Sequence, residues 1–128
     1  MNYKLKPLAA ALFLMITTSS CYNSHNAENI IGKWKGTYTE NCGTAARLSS
    51  VEIEFTGDKK FTAKITPPDG PAAMTTGTYI IERYRLIFIN NRKERDVQKI
   101  EDISETMYNG SFTNERCTGT TKLRKINS

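Results

Sequence analysis

The sequence contains little of the chemistry on which enzymes depend. It has one histidine, His25, which lies in a polar stretch near the N-terminus. Nucleophilic catalysis needs a base beside a serine or cysteine, and a zinc site needs clustered cysteine and histidine ligands. Neither pattern is present, and there is no glycine-rich phosphate loop. We therefore predict a protein that is not an enzyme and that uses no metal or cofactor.

Long hydrophobic runs are also missing. The apolar stretch Leu8–Ile16 has nine residues, whereas a membrane-spanning helix needs about 20. Lys4 and Lys6 precede this stretch, and the small polar residues 17–20 follow it. This order is typical of an export signal, so we predict a signal peptide at residues 1–20.

The positive charge does not indicate a nucleic-acid partner. The formal net charge is +5, but Lys4 and Lys6 belong to the predicted signal peptide. Basic and acidic residues alternate along the rest of the chain, which is typical of a solvated surface.

The three cysteines, Cys21, Cys42 and Cys117, are an odd number for an exported protein. Cys21 directly follows the predicted signal, as in a bacterial lipoprotein whose cysteine is lipidated, although Thr18 stands where such signals usually have leucine. Ordinary cleavage near Ser20 is the alternative. Lipidation predicts a polar tether at 21–29, membrane attachment through the lipid, and a place in the bacterial cell envelope, on the periplasmic or cell-surface face of the outer membrane.

Eight β-strands are predicted after the tether, from short runs of alternating polarity separated by turn residues. Val51, Ile53 and Phe55 alternate with Glu52 and Glu54 in the clearest of them. The charged run near residue 93 also fits a short helix. The predicted strands span about 30–40, 48–56, 60–66, 74–82, 85–90, 93–101, 105–113 and 117–126.

Eight short strands with short connections favour an all-β domain at 30–128, an eight-stranded antiparallel up-and-down barrel. When such a barrel closes, its last strand lies antiparallel to its first. Cys42 follows the first strand and Cys117 opens the last, so the two should be neighbours and form a disulfide. A two-sheet sandwich also allows this pairing.

Gly32-Lys33-Trp34, on the first strand, resembles the Gly-x-Trp signature of the lipocalin and calycin superfamily. The segment 117–123 also resembles small bacterial lipocalin-like exported proteins. The resemblance implies that Trp34 plugs one end of the barrel, with a basic residue near the end of the last strand, Arg124 or its neighbour, across its ring.

The longer predicted loops, 41–47 and 67–73, fall at one end of this barrel, and long loops usually form the mouth. We therefore expect Arg47, Asp69 and the disulfide at the mouth, facing away from the membrane, with Tyr38, Arg47 and Asp69 as ligand-binding candidates.

Two functions fit this fold. The first is binding of a small apolar or amphiphilic ligand inside the barrel. The second is a protein-interaction role similar to that of periplasmic lysozyme inhibitors. The segment Thr76-Gly77-Thr78-Tyr79 faintly resembles the loop motif of those inhibitors. An avidin-like biotin site is disfavoured because it uses several tryptophans. Aromatic residues alone do not decide whether the barrel is filled or open.

Overall fold

The structure, a computed structural model, describes residues 28–43 and 45–126. Eight strands follow one another: β1 (Gly32–Asn41), β2 (Ala46–Phe55), β3 (Lys60–Thr66), β4 (Ala73–Glu82), β5 (Arg85–Asn90), β6 (Arg95–Ile103), β7 (Met107–Thr113) and β8 (Thr118–Lys125). The eight predicted strands are confirmed. The charged segment near residue 93 contributes strand β6 and not a helix.

The strands form a closed barrel in which each pairs with the next in sequence. All the pairings are antiparallel, and β8 closes against β1 with Trp34 opposite Lys125 and Asn41 opposite Thr118. The predicted up-and-down barrel is therefore confirmed. Within 28–43 and 45–126, no helix is long and apolar enough to cross a membrane.

The alternating sequence pattern places apolar side chains inside the barrel. In β2, Val51, Ile53 and Phe55 are buried whereas Glu52 and Glu54 are exposed, as the two-residue period of a strand requires. The same alternation in the other strands, together with Ile30 before β1, completes one core, which comprises Ile30, Trp34, Val51, Ile53, Phe55, Phe61, Ala63, Tyr79, Leu86, Ile100, Tyr108 and Leu123.

The first strand begins two residues later than predicted. Residues 28–30 are helical, and Ile30 is 0% exposed. The chain then turns into β1 at Gly32, whose φ of +135° is a conformation that residues with a side chain rarely adopt. Asn29, predicted as the end of the tether, is buried against the barrel.

Strand β6 also begins two residues later than predicted, because a tight turn precedes it. The Asn90 side-chain oxygen accepts hydrogen bonds from the backbone N–H groups of Arg92 and Glu94, at 2.9 and 3.0 Å. Lys93 has a φ of +67° within this turn. Asp96 is therefore the second residue of β6, close to the β5–β6 loop.

The loops β1–β2, β3–β4, β5–β6 and β7–β8 lie at one end of the barrel, which we call the mouth. Cys42 and Cys117 form a disulfide there, with their Cα atoms 4.1 Å apart, so the predicted pairing is confirmed. Arg47, the second residue of β2, has its Nη2 2.7 Å from Oδ1 of Asp69 in the β3–β4 loop. The predicted long loop 41–47 is wrong, because β1 extends to Asn41 and β2 already begins at Ala46.

Candidate functional site

The barrel interior is open. It contains a cavity of about 440 Å³ that reaches the β5–β6 loop and therefore opens at the mouth. This volume is within the usual range of small-molecule sites. The sequence did not decide whether aromatic side chains fill the barrel. In the structure they line it and leave this cavity.

One wall of the cavity is apolar and comes from strands β2, β3 and β5. Phe88 lies at its centre, with its ring centroid 4.9 Å from that of Phe61 and 5.9 Å from that of Phe55. Edge-to-face and tilted packing of this kind holds aromatic rings in defined positions. The wall comprises Val51, Ile53, Phe55, Phe61, Ala63, Ile65, Leu86 and Phe88.

The facing wall, on β6, β7 and β8, carries a buried polar network. The Tyr108 hydroxyl donates to Gln98 Oε1 at 2.8 Å, and Gln98 Nε2 donates to Thr121 Oγ1 at 2.9 Å. Burial raises the pKa of Tyr108 well above its ordinary value, with the negative charge of Asp96 as a smaller cause. Tyr108 therefore stays a neutral donor, and the network is fixed in one arrangement.

Gly110 makes room for this network. A side-chain carbon at position 110 would collide with the Tyr108 hydroxyl and with Gln98 Oε1. The glycine therefore allows the two polar groups to meet at the cavity wall.

Asp96 is the charged residue of greatest interest in the cavity. It precedes Gln98 by two residues, so both project to the lumen side of β6, and both line the cavity. Asp96 is an exposed residue at the mouth of the cavity, and the surrounding protein covers part of its carboxylate. Burial raises its pKa, and a hydrogen bond from the backbone N–H of Val97 partly offsets this effect. None of the ion pairs formed within 28–43 and 45–126 includes Asp96.

Tyr38 also lines the cavity near its mouth. Its hydroxyl donates to Glu40 Oε2 at 2.8 Å, and its ring stacks on Phe112 with centroids 5.9 Å apart. Burial, with a smaller contribution from the Glu40 hydrogen bond, raises the pKa of Tyr38. The ring is therefore fixed at the cavity entrance in its neutral form.

Arg47 and Asp69, the other two ligand-binding candidates, pair with each other at the mouth. Both side chains are largely exposed, and neither is among the cavity-lining residues. Their role in binding stays a prediction, and their position is at the outer rim.

The closed end of the barrel is built around Trp34, which is 0% exposed. Its Nε1 donates to the Ile30 carbonyl oxygen at 2.8 Å. The cation over its ring is Lys125, whose Nζ lies 5.0 Å from the ring centroid and donates to the Asn29 carbonyl oxygen at 2.8 Å. Arg124, the first candidate for this position, is therefore wrong, and its neighbour Lys125 is the residue across the ring.

The reason for this correction is strand alternation. Leu123 faces inward, so Lys125 lies on the same side of β8, whereas Arg124 is exposed opposite Lys35. The sequence contains this signal, since Leu123 is the apolar residue of the last strand and Lys125 follows it by two positions.

One group near the mouth has the spacing of metal ligands. Glu40, Cys42 and Cys117 place one ligand atom each within 4.8 Å of one another. The two cysteines form the disulfide, and metal binding by cysteine requires the thiolate. This group therefore does not constitute a metal centre. Cys21 and His25 lie outside the described residues.

Asp96, Gln98 and Thr121 were not singled out by sequence reasoning. Thr121 lies on β8, two residues before the inward-facing Leu123. The β6 segment that holds Asp96 and Gln98 is strongly charged, and this obscured the alternation of Asp96, Gln98 and Ile100. Reading that segment with a two-residue period would have put the three on the lumen side.

Comparison with known proteins supports the fold. No family model matches the chain, and a search of curated proteins found no match. A solved structure described as a lipocalin-like protein from Bacteroides uniformis is similar, with a TM-score of 0.57 and 17% sequence identity. The match covers 77% of this chain and 99% of that one. Together with the closed eight-stranded barrel, it shows that this protein has a lipocalin-like fold.

Proposed function

We propose that this protein is a non-catalytic binding protein that takes a small apolar or amphiphilic ligand into its barrel. The observation that carries the proposal is the open cavity of about 440 Å³, with a wall of aliphatic and aromatic side chains. A concave, mostly apolar site with a few fixed polar groups is the usual form of a small-molecule site.

We further propose that the protein works in the bacterial cell envelope, attached by a lipid on Cys21. The order of charge, apolar stretch and cysteine in residues 1–21 supports export and lipidation. The disulfide supports an oxidising compartment, since disulfides persist there. The described chain enters β1 at the closed end, so an anchored barrel would present its mouth away from the membrane.

The anchor is tested by metabolic labelling with a clickable fatty acid in a bacterial host. Wild-type protein should be labelled and Cys21→Ser should not. Equal labelling of the two would refute lipidation at Cys21 and leave the binding proposal untouched.

The binding proposal is tested with the neutral apolar dye N-phenyl-1-naphthylamine, whose fluorescence rises in apolar surroundings. Ala63 lines the cavity, whereas its neighbour Thr62 points to the outer face of β3. Ala63→Phe should therefore reduce dye binding by filling the cavity, and the matched Thr62→Phe should bind like wild type. Equal dye binding by both variants would mean that the dye uses another surface.

Native mass spectrometry of protein purified from its own host addresses the identity of the ligand. A co-purified mass that is absent from Ala63→Phe would identify a ligand of the cavity.

The protein-interaction alternative loses support from the position of its motif. Thr76-Gly77-Thr78-Tyr79 lies within β4, and Tyr79 is 4% exposed with its hydroxyl donating to the Thr56 carbonyl oxygen at 2.8 Å. A side chain held in this way is not available to insert into a partner protein.

A further inference from the structure

We propose that the ligand carries a positively charged nitrogen, which binds the Asp96 carboxylate near the mouth while the apolar part of the ligand lies against the aromatic wall. This inference rests on the proposed function and specifies the class of ligand, a small cationic amphiphile such as a hydrophobic amine.

Asp96 shares the cavity with Phe88, its direct neighbour across the β5–β6 pairing. A carboxylate and an aromatic wall are thus exposed to the same enclosed space. A ligand that satisfied only the wall would leave the carboxylate desolvated without a partner, which is costly.

The other polar groups of the cavity wall already have hydrogen-bond partners. Gln98, Tyr108 and Thr121 already satisfy one another by hydrogen bonds. Asp96 has the Val97 N–H as its hydrogen-bond donor and takes part in no ion pair within the described residues. The group on the polar wall that can still accept hydrogen bonds is therefore the Asp96 carboxylate, which is an anion. A positively charged hydrogen-bond donor complements it.

The charged residues that line the cavity are mainly acidic. The charged lining residues are Glu94, Arg95 and Asp96, so acidic groups outnumber basic ones. Glu40, bonded to Tyr38 at the entrance, adds a further carboxylate. The whole chain has a formal charge of +5, so the acidic cavity is opposite in sign to the protein. Such a site concentrates cations and repels anions.

The Tyr38 ring adds a second attraction for a cation. It lines the same entrance, and its face carries the negative side of the ring quadrupole. The raised pKa of Asp96 fits an anion that an arriving cation would stabilise, since an adjacent positive charge favours the ionised form.

The test compares three probes with the same ten-carbon chain and different polar ends: decylammonium, decanol and decanoate. Each displaces the naphthylamine dye below its own aggregation concentration, at near-neutral pH and low salt. Wild-type protein should bind decylammonium about tenfold more tightly than decanol, as expected for one charge-assisted hydrogen bond. Decanoate should bind most weakly.

The variant Asp96→Asn keeps the size of the side chain and removes its charge. It should lose most of the preference for decylammonium over decanol. Asp102→Asn, at the opposite end of the same strand and outside the cavity lining, is the matched control and should keep the preference. Thermal unfolding of the variants verifies that each is folded.

The outcomes separate the two proposals. If none of the probes displaces the dye and the dye itself does not bind, the proposed binding function fails. If decanol or decanoate binds as tightly as decylammonium, or if Asp96→Asn retains the preference, the cavity binds ligands but the inference about a cation is wrong.

Discussion

Replacing Trp34 by alanine should unfold most of the protein, because this side chain closes one end of the barrel. Trp34 is 0% exposed, and truncation of a buried aromatic residue costs about 3–5 kcal/mol. The Ile30 carbonyl would lose its donor, at a cost of about 1 kcal/mol. Lys125 would lose the ring beneath it, worth about 0.5–1 kcal/mol. The total of about 4.5–7 kcal/mol reaches the lower part of the usual stability of a domain.

Trp34→Phe separates the contributions, because phenylalanine fills most of the space but cannot donate to Ile30. It should cost about 1–3 kcal/mol, mainly from the buried acceptor that is left without a partner. Leu48→Ala is the control for an exposed apolar residue, since Leu48 is 56% exposed, and it should stay within about 0.5 kcal/mol of wild type.

The assay is urea unfolding followed by far-ultraviolet circular dichroism, which does not depend on the tryptophan. In wild type, Trp34 fluorescence should also be blue-shifted and resistant to iodide, and should shift to the red on unfolding. A solvent-exposed emission maximum in the native protein, or a Trp34→Ala variant as stable as Leu48→Ala, would show that Trp34 does not close the barrel.

Three further predictions concern stability. Lys125→Met should lower stability by about 1–2 kcal/mol in urea unfolding, through loss of its charged hydrogen bond, whereas Arg124→Met should have little effect; the reverse order would contradict the assignment of Lys125. Replacing Cys42 and Cys117 by serine opens a crosslink of sequence separation 75 and should cost about 4 kcal/mol, and unchanged unfolding would contradict the disulfide. Because folding raises the pKa of Asp96, its ionised form opposes folding; Asp96→Asn should therefore raise the melting temperature near neutral pH, and this gain should vanish as the pH falls below 3.8, the ordinary value. A gain that persists in acid would contradict ionisation as its cause.

The fold could be predicted from the sequence because the relevant signals are local. In β2 the alternation of Val51, Ile53 and Phe55 with glutamates is visible in consecutive residues, and the turn at 57–59 bounds it. The pairing of Cys42 with Cys117 also followed, since closing an up-and-down barrel leaves one arrangement for its first and last strands. These conclusions need only strand order and a two-residue period.

Tertiary structure decided what the barrel contains. The alternating pattern places Tyr38, Phe55 and Phe61 on the inner face of their strands, but whether they fill the lumen depends on barrel diameter and on the angles of the rings. A one-dimensional pattern records neither quantity. The cavity of about 440 Å³ is therefore a property of the assembled strands.

The same limit applies to the individual residues of the site. The helical residues 28–30 gain their stability from burying Ile30 beside Trp34, a contact made only once the barrel exists. Asp96 is one of several charged residues in its segment of the sequence, and the turn after Asn90 sets which of them enters the lumen. The sequence by itself determined the barrel, its closure and its disulfide, because these depend on local periodicity and strand order. The open cavity, the position of Lys125 over Trp34 and the carboxylate of Asp96 in the lumen depend on distances across the barrel, which only the tertiary structure defines.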